Sequence, residues 1–100
     1  MILYTTIPSV INNLIGRLKT AAIADAKTDV VLALTAIGTV SWFNLPYNLN
    51  KLESAIKLYQ TSLLDGDLQD LIDKLGIVAW YDLFNKVVTL IEATELIETL

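Results

Sequence analysis

Four aspartates, Asp65, Asp67, Asp70 and Asp73, fall within nine positions around Gly66 in the stretch LLDGDLQDLID. Carboxylates this close are the raw material of a calcium loop or of a paired acid and base. An EF-hand loop started at Asp65 finds Asp67 in place, but puts Gln69 at its fifth position and Gly76 where the bidentate glutamate belongs. Its glycine comes at the second position rather than the sixth, where the sharp turn requires it. The same residues read better as a helix start. Gly66 ends one helix, Asp67 caps the next, and Asp70 steadies the positive N-terminal turn and pairs with Lys74 at i,i+4. No metal is expected here.

Other chemistry is scarce. The chain has no Cys and no His, which removes thiol nucleophiles, histidine-based triads and nearly every zinc site. Asp82, inside the apolar run GIVAWYDLFNKVV, could act as an acid or base if buried. Its place four residues before Lys86 reads instead as a solvated helix face. A site built from Asp, Lys and Tyr alone would need Asp82 or the Asp65–Asp73 group brought against Tyr59 or Tyr81. No catalytic residue and no cofactor is expected. Glu92, Glu95 and Glu98 repel one another near a helix C-terminus. They read as a solubilising end, with Arg17, Lys19 and Lys27 as basic groups able to relieve them.

The elements that must position these residues are helical. Ile7, Val10, Ile11, Leu14, Ile15, Leu18, Ala21 and Ala22 recur in steps of three and four, a stripe that predicts a helix over 7–23 with Thr6 or Ser9 as cap and Pro8 in its first turn. Gly16 reads as a surface glycine. VVLALTAIGTVSWF, residues 30–43, reads as a buried helix, with a hairpin as the competing form. Asn44–Asn48, around Pro46, is a break, followed by a helix over 48–64 with an Asn50/Glu53 capping box and a Glu53–Lys57 pair. A short helix then runs to Gly76, which either ends it or lies inside one continuous helix. A last helix spans 77–98, with Trp80, Leu83, Phe84, Val87 and Leu90 on its apolar face. No internal repeat is read. The expected fold is all-α, a compact bundle of four to five helices in a single domain over 1–100.

Composition turns this into a functional expectation. The chain is 54% apolar and 18% charged, against about 45–50% and about 25% in ordinary soluble domains. Such a surplus argues for an interface. Residues 1–50 carry three basic and two acidic side chains, and residues 51–100 carry four and nine. That acidic balance offers nothing to phosphate backbones, so no nucleic acid is expected. The expectation is a non-enzymatic protein–protein interaction or assembly module that self-associates through apolar helix faces, most often as a dimer, or binds another protein. The contact residues expected are Ile11, Ile15, Leu34, Ile37, Trp42, Phe43 and Tyr47, where charges are sparsest. The alternative is a membrane-associated helical protein using residues 30–47, whose Trp42, Phe43 and Tyr47 resemble an interfacial aromatic belt. Its apolar stretch is 14 residues, about 21 Å as a helix against a hydrocarbon core of about 30 Å. Without a charged leader segment the expected location is cytoplasmic.

Overall fold

The computed structural model describes residues 4–100, and the Tyr4 side chain lies outside that description. Among the described residues there are five α-helices and no strand: α1 (Ile7–Ala24), α2 (Thr28–Ile37), α3 (Leu45–Leu63), α4 (Gly66–Leu75) and α5 (Leu83–Thr99). The all-α expectation holds.

The stripe read along the first helix is the face that α1 buries, with Ile7, Ile11, Leu14, Ile15, Leu18 and Ala22 inside. Pro8 sits in the first turn, where its missing N–H costs no helical bond. The helix stops at a left-handed residue, Ala26 (φ 57°). The Lys27 N–H then reaches back to the Ala22 carbonyl at 2.8 Å, closing the end as a Schellman-type turn. α2 lies against α1 and α3, α4 against α3 and α5, and α5 returns to pack on α1. Leu34, Leu45, Leu49, Leu52, Ile56, Tyr59, Leu68, Val87 and Leu90 are among the side chains filling the interior.

The expectation of no internal repeat is wrong. The long helices begin at residues 7, 45 and 83, and the short ones at 28 and 66, a common spacing of 38. Each long helix is preceded by a 3-10 turn, at 4–6, 42–44 and 80–82. The same offset aligns Ile37-Gly-Thr-Val-Ser-Trp-Phe-Asn-Leu45 with Leu75-Gly-Ile-Val-Ala-Trp-Tyr-Asp-Leu83. The fold is therefore built from a helical-hairpin unit, long helix then short helix, joined by an extended corner.

The corners also correct the element boundaries. α2 ends at Ile37, so residues 30–43 form neither one helix nor a hairpin. Gly38 (φ 69°, ψ −153°) and Gly76 (φ 52°, ψ −150°) stop α2 and α4 in a backbone region open essentially to glycine alone. Gly76 thus ends its helix, and residues 77–82 belong to a corner rather than to the last helix. α3 begins at Leu45 with Pro46 in its first turn, so the break lies upstream of the proline. Asn50 and Glu53 are helix interior, not a capping box.

A Cβ built on either corner glycine meets no atom within 4 Å, so its cost is backbone conformation alone. Gly38→Ala and Gly76→Ala are each expected to lower the unfolding free energy by about 1–3 kcal/mol. Gly16→Ala, in open space on α1, should instead raise it by about 0.5–1 kcal/mol. Urea denaturation of the three variants checks both signs.

Candidate interaction face

Two of the four clustered aspartates, Asp65 and Asp73, have partners within the fold. Leu64 ends α3 in the left-handed conformation (φ 54°), and Asp65, not Asp67, caps α4 by accepting the Leu68 N–H at 2.9 Å. Asp73 accepts from Gln69 Nε2 at 2.9 Å. The Asp70–Lys74 ion pair does not form; among the described residues the pairs are Arg17–Glu98, Glu53–Lys57 and Asp82–Lys86. No three acidic side chains among the described residues converge as metal ligands do. Tyr59 meets none of the aspartates named with it as a possible site. It donates instead to Asp25. That burial, and then the bond to the carboxylate, push the phenol well above the ordinary tyrosine range. Asp82 has a second role that sequence spacing did not show: its Oδ1 accepts the Ala79 N–H at 3.3 Å and shapes the second corner. The Glu98 carboxylate takes a two-point contact from Arg17. Those hydrogen bonds hold Glu98 below the usual carboxylate range. They also relieve part of the repulsion along the acidic helix end.

Each corner is held by an asparagine from the long helix before it. Asn12 of α1 grips Val40 at both backbone groups, donating Nδ2–H to its carbonyl at 2.9 Å and accepting its N–H at 2.8 Å. One repeat later, Asn50 of α3 accepts the Val78 N–H at 3.0 Å and gives its own Nδ2–H to the Pro46 carbonyl at 2.9 Å. Val40 and Val78 insert their side chains into the core. Within the turns the Ser41 N–H is accepted by Asn44 Oδ1 at 2.8 Å, as Ala79 is by Asp82. Pinned on both sides, the corners present residues 42–43 and 80–81 outward.

These residues make one aromatic face. Trp42 and Trp80 stack, with centroids 6.1 Å apart and planes inclined by 15°. The next residue in each corner stands in solvent, Phe43 at 102% and Tyr81 at 90% relative exposure. Ile77 opens the second corner, and Tyr47 follows the first in the opening turn of α3, with the Lys51 ammonium 4.5 Å above its ring. Of the contact residues expected from sequence, Trp42, Phe43 and Tyr47 lie here. Ile11, Ile15, Leu34 and Ile37 do not: all four are buried in the core. The sparse charge around them reflects burial in the core, where α1 and α2 pack against each other. Sequence reading missed Trp80, Tyr81 and Ile77 by assigning them to a helix. Aligning residues 37–45 with 75–83 would have found them.

Charge is segregated along the same axis. The corner segments, residues 38–47 and 76–81, contain no charged side chain. The connections at the opposite end, residues 24–29 and 64–70, and the last turns of α5 hold Asp25, Asp29, Asp65, Asp67, Asp70, Glu92, Glu95 and Glu98 against Lys27. The aromatic corners are uncharged, and acidic groups gather at the opposite end. No single helix among the described residues is long and apolar enough to cross a membrane; the pair Thr28–Ile37 and Trp42–Leu63 passes by composition only as a unit bent by 112°.

No protein-family model matches the chain, and no similar curated protein or solved structure was found.

Proposed function

We propose that this chain is a non-enzymatic protein–protein interaction module that docks through its aromatic corner face. One observation carries the reading: Phe43 and Tyr81 occupy equivalent places in successive units, and both are aromatic although almost wholly exposed. Elsewhere the two units keep what packing demands, as at Val40 and Val78 or Leu45 and Leu83. They diverge at exposed positions, as at Ser54 and Glu92 or Lys57 and Glu95. An exposed aromatic ring gains nothing from its own fold, so its recurrence points to a surface that is covered when the protein works. Trp42 and Trp80, stacked on each other, supply the large, rigid side chains on which hot spots are commonly built.

The test is site-specific photo-crosslinking in cells that express the chain, with the crosslinker in place of Tyr81 or of Leu32, an exposed leucine on α2. The expected result is discrete protein adducts from position 81 and none above background from position 32. Equal labelling from both positions, or none from either, would overturn the reading.

A further inference from the structure

We infer that the occupant of the aromatic face is a second copy of this chain, docked corner to corner about a two-fold axis. The inference rests on the interaction-module reading and names its partner. Two observations select it, the first being area. Trp42, Phe43, Tyr47, Ile77, Trp80 and Tyr81 leave open the equivalent of about four large side chains, roughly 800 Å² at about 200 Å² each. A standard interface takes about 800 Å² from each partner, so the patch matches what one stable contact needs.

Charge is the second. Two copies meeting at their corners join uncharged segments and hold their acidic ends apart. Any contact through the acidic ends would oppose like charges. The uncharged corners also argue against an anionic bilayer as the occupant, because residues 38–47 and 76–81 bring no lysine or arginine to lipid phosphates. In a two-fold dimer each Phe43 and Tyr81 faces the partner's copy of the same patch, so one self-complementary surface suffices.

The experiment is light scattering across a size-exclusion peak, run on the pure chain from micromolar to millimolar concentration. The wild type, the double variant F43S/Y81S and the control double variant I23S/L32S, whose targets are exposed on α1 and α2, are compared. The wild type and the control are expected to run at twice the chain mass. F43S/Y81S should run as a folded monomer, with self-association weakened at least about thirtyfold. Because the chain has no cysteine, Y81C and L32C give an independent readout: maleimide labelling should slow with rising protein concentration for the first and not for the second. A wild type that is monomeric throughout, or a dimer that survives F43S/Y81S, overturns the inference. So does loss of the monomeric wild type, but not of F43S/Y81S, onto phosphatidylcholine vesicles, which would assign the face to a membrane. A monomer that still crosslinks from position 81 to a different protein overturns only the second copy and leaves the module reading standing.

Discussion

Asn12→Ala is expected to lower the unfolding free energy by about 2–4 kcal/mol, although the side chain is only partly buried and carries no charge. The reason is what it leaves behind. The Val40 N–H and carbonyl both take their partner from this one amide. Val40 itself is anchored in the core, so its backbone cannot swing out to water without withdrawing the side chain. Each stranded backbone group costs about 1–3 kcal/mol. Asn50→Ala should cost less, about 1–3 kcal/mol, because it strands only the Val78 N–H. The Pro46 carbonyl that it also frees lies within the first turn of α3, where the helical i→i+4 bond can take over. Asn13→Ala, one position along on the exposed side of α1, should change stability by no more than about 0.5 kcal/mol. Urea denaturation followed by tryptophan fluorescence reads both quantities of interest, since Trp42 reports the corner that Asn12 holds.

Tyr59 gives the second large effect. Its ring is buried where α3 packs on the α1–α2 connection, and its hydroxyl is donated to Asp25. Tyr59→Ala removes the ring and leaves a cavity, for an expected loss of about 3–5 kcal/mol. Tyr59→Phe keeps the packing and loses only the hydrogen bond to the carboxylate. Asp25 is exposed and regains water, so the loss should lie near the lower end of the range for bonds to charged groups, about 1.5 kcal/mol. The two variants also differ from wild type in pH dependence. The native phenol is held above the ordinary tyrosine value, so in alkali the unfolded chain ionises first. The stabilisation is therefore complete below about pH 10 and declines above it, by at most about 1.4 kcal/mol per pH unit. The wild-type advantage over Tyr59→Phe should be constant from pH 7 to about 9 and shrink above pH 10 in parallel urea titrations. An advantage that persists unchanged in alkali would show that the hydroxyl does not hold its proton through the fold.

How much of this was legible in the sequence depends on the distance over which the relevant physics acts. The period of α1 shows at once, because buried and exposed residues alternate within a single turn. The Glu53–Lys57 and Asp82–Lys86 pairs show for the same reason: four residues along a helix are neighbours. The corners do not. VVLALTAIGTVSWF contains no charge and only one glycine, so apolar content carries the eye through Gly38, where the backbone turns. Pro46 marks a helix start as readily as a break, and only the upstream asparagine clasp decides between them. That clasp spans 28 residues in both corners, and no local pattern announces it. The candidate face was half legible. Trp42, Phe43 and Tyr47 stood out as aromatics in an uncharged run, whereas Trp80 and Tyr81 were absorbed into an apparent helix stripe. Ile11, Ile15, Leu34 and Ile37 show the converse: sparse charge marks burial as readily as contact.

The packing of α5 against α1 bears on how the molecule comes apart. Helical-hairpin units stacked in an open row touch only their neighbours, so such rows fray from whichever end is weaker. Here the last long helix is joined to the first, with Arg17 and Glu98 across the seam. No unit is terminal, and loosening any one of them disturbs contacts on both of its sides. The units should therefore melt together as a single cooperative body, and amide protons in α1 and α5 should exchange as slowly as those in α3 between them.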